Sequence, residues 1–156
     1  MKLAVLAVGN KMPSWVDEGF AEYAKRLPRE AQIVLTEIKP EKRGAGKSVA
    51  QILEAERDRI TAALPPRSDV VALDEHGETL TTAALSRQLD GWRRDGGAPV
   101  FVIGGADGLH ADIKRGARRV LALSAMTLPH GLARVMLAEQ LYRAVSILQH
   151  HPYHRV

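Results

Sequence analysis

The chain of 156 residues has the length of one domain and is long enough to bury a hydrophobic core. Its composition, 46% hydrophobic and 26% charged, excludes an intrinsically disordered chain, and no apolar run reaches the roughly 18–20 residues that a membrane-spanning helix needs. The absence of cysteine excludes disulfides, thiolate nucleophiles and cysteine-ligated metals, so we expect a cytoplasmic protein with no membrane partner.

Strands alternate with helices along the chain. Short apolar runs rich in β-branched residues predict strands at residues 3–8, 33–38, 70–73, 100–103 and 120–123. Apolar residues at helical spacing predict helices at residues 15–27, 48–64, 81–92, roughly 111–118 and 131–149. This alternation predicts a single α/β domain over residues 1–156, with a mostly parallel sheet and helices on both of its faces.

The net charge of +4 is unevenly distributed. Residues 1–78 include 12 basic and 13 acidic side chains, whereas residues 79–156 include 10 basic and 5 acidic ones, so the two halves carry −1 and +5. The basic side chains of the second half form two clusters, Arg87, Arg93 and Arg94, and then Lys114, Arg115, Arg118 and Arg119. Such clusters suit a nucleic-acid backbone, and solvated helix faces explain them equally well.

Ligands of an open α/β sheet bind beyond the carboxyl ends of its strands, so the loops after residues 73, 103 and 123 form the candidate site. The first loop begins with Asp74 and Glu75, which suit a ribose or a metal but are more typical of a turn. The second, GGADG at 104–108, lets its backbone approach a ligand closely. The third, 123–130, leads into a helix whose free N–H groups favour a carboxylate or another acceptor.

Two nucleotide-binding motifs are incomplete. The glycine loop lacks the first glycine of the dinucleotide fingerprint, because Ile103 occupies that position. The segment Gly46-Lys47-Ser48 resembles the end of a phosphate-binding loop, but Glu41 stands where that motif requires glycine. The sequence therefore argues against a nicotinamide enzyme and against an ATPase.

The last third of the chain leaves several alternatives open. His130 is either a structural histidine, which its residue type favours, or a base beside the ligand. The broad apolar surface of helix 131–149 fits complete burial or contact with a second subunit. Glu139 and Arg143 have the spacing of a helical ion pair. The tail HHPYHR at 150–155 has three histidines, which could bind a metal. However, the sequence supplies no further ligand at helical spacing, so it does not favour a metal site there.

Several motifs together resemble one known family. These motifs are KLAVLAVGNKMPSW (2–15), FVIGGADGL (101–109), LSAMTLPH (123–130), EQLYR (139–143) and HPYHR (151–155). Together they resemble the ribosomal RNA large-subunit methyltransferase H family, and the resemblance covers essentially the whole chain. The resemblance implies a SPOUT fold with a deep trefoil knot in the C-terminal segment, a homodimer, and S-adenosylmethionine (SAM) bound in the knot. It also implies methylation of N3 of a pseudouridine in 23S ribosomal RNA (rRNA) within the assembled 70S ribosome.

The same resemblance assigns roles to residues by position. It implies that SAM is bound by Leu73, Gly104, Gly105, Leu123, Ser124, Ala125, Met126, Thr127 and Leu128, with no metal. The catalytic residues that it implies are His130, Tyr153, His154 and Arg155. Our hypothesis is that His154 takes the N3 proton across the dimer interface, with His130 as the alternative base. Arg155 then holds a phosphate or the developing imide anion, and Tyr153 packs against the base.

Two competing interpretations remain after the resemblance. The chain could be a related SPOUT enzyme that modifies transfer RNA, and its preferred RNA substrate would distinguish this case. It could also be a catalytically silent RNA-binding factor, and failure to bind SAM would favour that interpretation.

Overall fold

The computed structural model describes residues 1–44 and 46–155, and over these residues the predicted elements occur in the predicted order. The strands are β1 (Lys2–Val8), β2 (Gln32–Ile38), β3 (Asp69–Thr79), β4 (Pro99–Ile103) and β5 (Arg119–Ala122). The helices are α1 (Ser14–Ala24), α2 (Val49–Ala63), α3 (Thr82–Asp95), α4 (Ala111–Gly116) and α5 (His130–Leu148). Among the residues described, no helix combines the length and the apolar character needed to span a bilayer.

The strands form one parallel sheet in the order β2-β1-β4-β3-β5, which confirms the predicted α/β class. The central pair β1 and β4 joins distant parts of the chain, with Val5 level with Phe101. Because the strands are parallel, all of them end at the same side of the sheet. We call this side the carboxyl edge and the opposite side the amino edge. The loops that follow the strands therefore meet at the carboxyl edge.

Successive strand residues point into two separate cores, as the pleat of a strand requires. On one face, Val5 and Phe101 pack under α3 and α5, and α1 lies beside α5. On the other face, Leu6 and Val102 pack with residues of α2 and α4. All five residues of β4 are buried, since this strand lies at the centre of the sheet and is covered on both sides. This double burial explains the continuous apolar run of the strand.

Local signals fix the ends of α2 and α3. The Ser48 hydroxyl accepts the Gln51 N–H at 3.2 Å, and the Gln51 side chain accepts the Ser48 N–H at 2.9 Å, which is a capping box. The Thr81 hydroxyl caps α3 by accepting the Ala84 N–H at 3.0 Å. Gly96 ends α3 in the left-handed conformation, with a φ of 69° that favours glycine.

The third strand differs from the prediction. Residues 70–73 were expected to form a short strand, but β3 runs from Asp69 to Thr79 and pairs twice with β5. Leu73 and Glu78 both lie opposite Leu121, so residues 74–77 form a bulge between the two pairings. A Cβ at Gly77 would lie 2.7 Å from the Val120 carbonyl oxygen, so glycine is needed for the backbone to return to β5. The bulge pushes its acidic residues out at the carboxyl edge.

A buried arginine ties the start of α5 to the other end of the carboxyl edge. Arg134 is 1% exposed, and its Nη1 lies 2.7 Å from Glu37 Oε2 at the end of β2. Its Nη2 donates to the Gly9 carbonyl oxygen, just after β1, at 3.1 Å. A buried guanidinium needs such partners because an unpaired buried charge is costly. The first turn of α5 is thereby held in place at the carboxyl edge.

Candidate active site

The main pocket lies at the carboxyl ends of β3, β4 and β5, which is the position expected for the ligand of a parallel sheet. Its volume of about 590 Å³ falls within the roughly 300–1,000 Å³ that is typical of small-molecule sites. The three predicted loops and the first turn of α5 line it. Of the residues expected to bind SAM, those at the wall are Leu73, Gly104, Gly105, Leu123, Ser124, Met126, Thr127 and Leu128. Ala125 is exposed and is not part of the pocket wall.

The glycine loop after β4 forms a tight turn at the base of the pocket. The Gly108 N–H donates to the Gly105 carbonyl oxygen at 3.0 Å, and Gly108 has a φ of 77°. A Cβ at Gly104 would overlap the backbone of Gly108, including its carbonyl oxygen. Backbone therefore packs directly on backbone in this turn. The polar groups of the loop reach the pocket without side chains in the way.

The loop after β5 forms the opposite wall. The Ser124 hydroxyl accepts the Met126 N–H at 2.9 Å and so turns the chain. The Thr127 hydroxyl donates to Glu75 and links this wall to the β3 bulge. Met126 is 77% exposed, which is unusual for a large apolar side chain beside a pocket. This wall offers an apolar surface to a bound molecule.

Helix α5 begins at the pocket without a side-chain cap. Its N-cap residue is Pro129, which makes no side-chain hydrogen bond to the helix, and both Pro129 and His130 line the pocket. An uncapped helix start leaves backbone N–H groups for another acceptor, and the helix dipole favours a negative group there. His130, the alternative base of the sequence hypothesis, therefore lies beside the pocket.

The acidic residues of the β3 bulge combine a turn contact with a place at the pocket wall. Asp74 accepts the His76 N–H at 3.0 Å, as a turn residue does, and both Asp74 and Glu75 line the pocket. Lys114 of α4 lies 3.5 Å from Asp74 and partly offsets its charge. Within the described ranges, no three His, Asp or Glu side chains are grouped as a metal site would need.

The C-terminal tail packs on α5 and does not enter the pocket of its own chain. The Tyr153 hydroxyl donates to Glu139 Oε1 at 3.1 Å, and its ring centroid lies 4.5 Å from that of Tyr142. The Arg143 guanidinium lies 4.7 Å from the Tyr153 ring centroid. Glu139 is nine residues beyond His130, which places it roughly 13 Å further along the helix axis. Tyr153, His154 and Arg155 are therefore separate from the pocket, unlike His130.

Glu139 has a second role besides the ion pair with Arg143 that its spacing predicted. Glu139 lies 2.6 Å from Arg143 and also accepts the Tyr153 hydroxyl, so it anchors the tail. Burial, and then the negative charge of Glu139, raises the pKa of the Tyr153 phenol. The hydrogen bond to Glu139 raises the pKa of the Arg143 guanidinium. The phenol therefore remains a neutral donor and the guanidinium remains charged at neutral pH.

Within the tail, one imidazole is left unsatisfied. The Nδ1 atom of His154 is buried and has no hydrogen-bond partner among the residues described. A buried polar atom without a partner is costly, so this part of the tail contributes little to the stability of the fold. His154 is the side chain that the sequence hypothesis assigns as the base.

The two predicted basic clusters lie mostly away from the pocket. Arg93 and Arg94 are in the last turn of α3, and Arg118 and Arg119 stand where the chain enters β5. All four therefore lie toward the amino edge, opposite the pocket. Each also lies within 4.0 Å of a carboxylate. Lys114 is the member of the clusters that approaches the pocket.

Comparison with known proteins gives one consistent family. The family model described as "Predicted SPOUT methyltransferase" matches residues 1–154. Two relatives, from Nitrosomonas eutropha and Laribacter hongkongensis, are 59% and 60% identical over 155 residues, covering 99% of this chain and 99% of their own. Both are named ribosomal RNA large subunit methyltransferase H.

A solved structure supports the fold. The structure of a probable methylase family protein from Haemophilus influenzae superposes with a TM-score of 0.59 at 9% identity. The match covers 99% of this chain and 70% of that one. At so low an identity the similarity concerns the fold alone.

Proposed function

The chain belongs to the SPOUT methyltransferase family, and we propose that it transfers a methyl group from SAM to N3 of a pseudouridine in 23S rRNA of the assembled ribosome. The observation that carries this proposal is the full-length identity of 59–60% to relatives named for methylation of large-subunit rRNA. The position of the pocket supports it, because the loops that the resemblance assigns to SAM form the pocket wall. A substrate within the ribosome also implies a cytoplasmic location.

The residues of the pocket fit SAM. When bound, SAM supplies an electrophilic methyl group on a positively charged sulfur. Asp74, Glu75 and Asp107 give the pocket three carboxylates, and no Lys or Arg is among the residues that line it in the described part of the chain. The open start of α5 suits the carboxylate of an amino acid, and Leu73 and Leu128 suit an apolar ring. We propose that these groups hold the methyl donor.

The proton on N3 has to leave during the reaction, so the site needs a base. Histidine suits this role, because its unperturbed pKa of about 6.5 lies near neutral pH. His130 is in the pocket of its own chain, whereas His154 is on the tail. We propose that His154 is the base and that Arg155 holds a phosphate or the developing imide anion. Tyr153 then orients the tail from its place on Glu139.

The position of the tail requires a second subunit under this proposal. Because Tyr153 is fixed along α5, His154 does not reach the pocket of its own chain in this arrangement. We propose that the chain forms a homodimer, in which the tail of one protomer completes the pocket of the other. Trp15, which is 54% exposed on α1 beside the start of α5, supports a contact surface there. The resemblance also implies that the C-terminal segment is threaded as a deep trefoil knot.

The direct test is transfer of labelled methyl from SAM to intact bacterial ribosomes that lack this modification, with the product nucleotide located by mass spectrometry. Ribosomes without pseudouridine serve as the matched control. We expect label at one pseudouridine of the large-subunit RNA, and its loss in the control. A chain that binds SAM but labels only transfer RNA would show a different substrate, and a chain that does not bind SAM would not be a methyltransferase.

A further inference from the structure

The carboxyl edge has two halves of opposite charge. The loops after β1 and β2, residues 9–13 and 39–48, contain five basic residues and one acidic residue. The pocket beyond β3, β4 and β5 is lined instead by the three carboxylates described above. Phosphate groups are attracted to the first half and repelled from the second, over a range of about 10 Å at 0.1 M salt.

The basic loop after β2 is held beside the pocket by specific contacts. Arg59 of α2 donates to the Lys39 carbonyl oxygen at 2.9 Å and to Glu41 at 3.2 Å. The Glu41 N–H donates to the buried Glu56 at 3.0 Å. These contacts fix the loop to α2 at its start. The hydrogen bond from Arg59 lowers the pKa of the Glu41 carboxyl, which therefore stays ionised.

The same loop touches the wall of the pocket. Arg43 lies 2.5 Å from Asp107 of the glycine loop, and Asp107 lines the pocket. Glu56, which holds the basic loop, is also close to the glycine loop, because a Cβ added at Gly105 would lie 3.7 Å from Glu56 Oε1. The basic half of the edge and the pocket are therefore parts of one continuous surface. A polymer bound along the basic half would be within reach of the pocket.

Three of the four lysines in this half are available to an external partner, whereas Lys47 lies 3.5 Å from Glu41. Lys11, Lys39 and Lys42 are exposed, and none of them pairs with a carboxylate within residues 1–44 and 46–155. The arginines at the amino edge differ, because Arg93 and Arg94 both pair with Asp90, at 2.5 Å and 3.2 Å. A free lysine loses no intramolecular partner when it binds a phosphate, and it releases a counterion.

We propose that Lys11, Lys39 and Lys42 form the surface that binds the phosphate backbone of the substrate RNA and directs its target base to the pocket. This inference rests on the proposed function, since it takes the substrate to be RNA. It assigns RNA binding to the loops after β1 and β2 and not to the larger arginine clusters at the amino edge.

The test compares two double variants that each remove two positive charges, Lys39→Ala/Lys42→Ala and Arg93→Ala/Arg94→Ala. Binding to unmodified ribosomes is measured from 50 to 300 mM salt, with SAM affinity by calorimetry as a control. We expect the lysine variant to bind ribosomes roughly tenfold more weakly at low salt, with a log–log salt slope shallower by about 1.5. We expect the arginine variant to remain close to wild type, and both variants to keep the SAM affinity of the wild type.

Each outcome decides between the proposals. If wild-type protein methylates ribosomes and the lysine variant matches it at every salt concentration, this inference is wrong and the proposed function stands. An equal or larger loss in the arginine variant would place the RNA on the amino edge and would also overturn it. If wild-type protein neither binds nor methylates ribosomes, the proposed function fails, and the inference fails with it.

Discussion

The pocket and the C-terminal tail are held together by different kinds of contact. The pocket is formed mainly by backbone, through the glycine turn after β4, the bulge of β3 and the uncapped start of α5. The tail is held by side chains, with Glu139, Tyr142 and Arg143 all contacting Tyr153. The wall of the pocket is therefore formed by residues of one chain. A tail attached by a few side chains can change its position more easily than a backbone turn, as the proposed dimer requires.

This difference predicts that variants of the two regions affect different steps. Variants of the tail should reduce the rate of methyl transfer and leave SAM binding unchanged, whereas variants of the pocket should reduce SAM binding first. A tail variant that weakened SAM binding as much as it slowed the reaction would remove the distinction.

The largest effect is expected from His154→Ala. Loss of a general base lowers the rate of the reaction by roughly 10²–10⁴-fold. The affinity for SAM, measured by calorimetry, should stay at the wild-type value because His154 is not in the pocket wall. His150→Asn is the matched control, because it removes a nearby exposed imidazole and keeps a residue that tolerates the φ of 55°. Equal losses of rate and SAM affinity would refute the base role.

A smaller effect is expected from Gly104→Ala. The added Cβ overlaps the backbone of Gly108, so the glycine turn has to open. We expect SAM to bind at least roughly tenfold more weakly, which corresponds to about 1.4 kcal/mol. Gly91→Ala is the control, since a Cβ there meets no atom within 4 Å and alanine favours the helix. Unchanged SAM affinity in a folded Gly104→Ala protein would show that the glycine turn is not part of the cofactor site.

The smallest effect concerns alkaline pH and the tail. The pKa of Tyr153 is raised in the folded protein, mainly by burial. Its stabilising contribution is therefore complete below the ordinary tyrosine pKa of about 10 and is lost as pH rises through the higher folded value. We expect the unfolding free energy of the wild type to fall from about pH 10 upward by more than that of Tyr153→Phe. Denaturant titrations of both proteins over the same series of pH values would measure the two unfolding free energies. If both free energies fell equally with pH, Tyr153 would not be held as described.

Much of the pocket was predictable because it follows from chain order. Apolar runs predicted the strands, and parallel strands bring the loops after residues 73, 103 and 123 to one edge. The extension of β3 was missed because residues 74–79 are polar and pair with β5 through the backbone. Gly77 was the available signal, since a glycine within a strand often marks a bulge or close backbone contact.

The tail and the charged surfaces were less predictable. The place of Tyr153 depends on tertiary contacts with α5, and no local pattern in HPYHR indicates which helix it meets. The arginine clusters were judged by their density along the sequence, without regard to the edge on which they lie. The C-terminus of α3 and the entry to β5 necessarily lie at the amino edge of a parallel sheet. That argument was available from the predicted topology, and it favours the loops after β1 and β2 for RNA binding.

The central claim is that the pocket of one chain works with the tail of another. It is tested most directly with a heterodimer of Thr127→Trp, which fills the pocket mouth, and His154→Ala, coexpressed with different tags and purified through both. Each homodimer should be inactive, and the heterodimer should have about half of the wild-type methylation rate, because one of its two sites combines an intact pocket with an intact tail. An inactive heterodimer, with the SAM affinity of its unaltered pocket preserved, would contradict the claim.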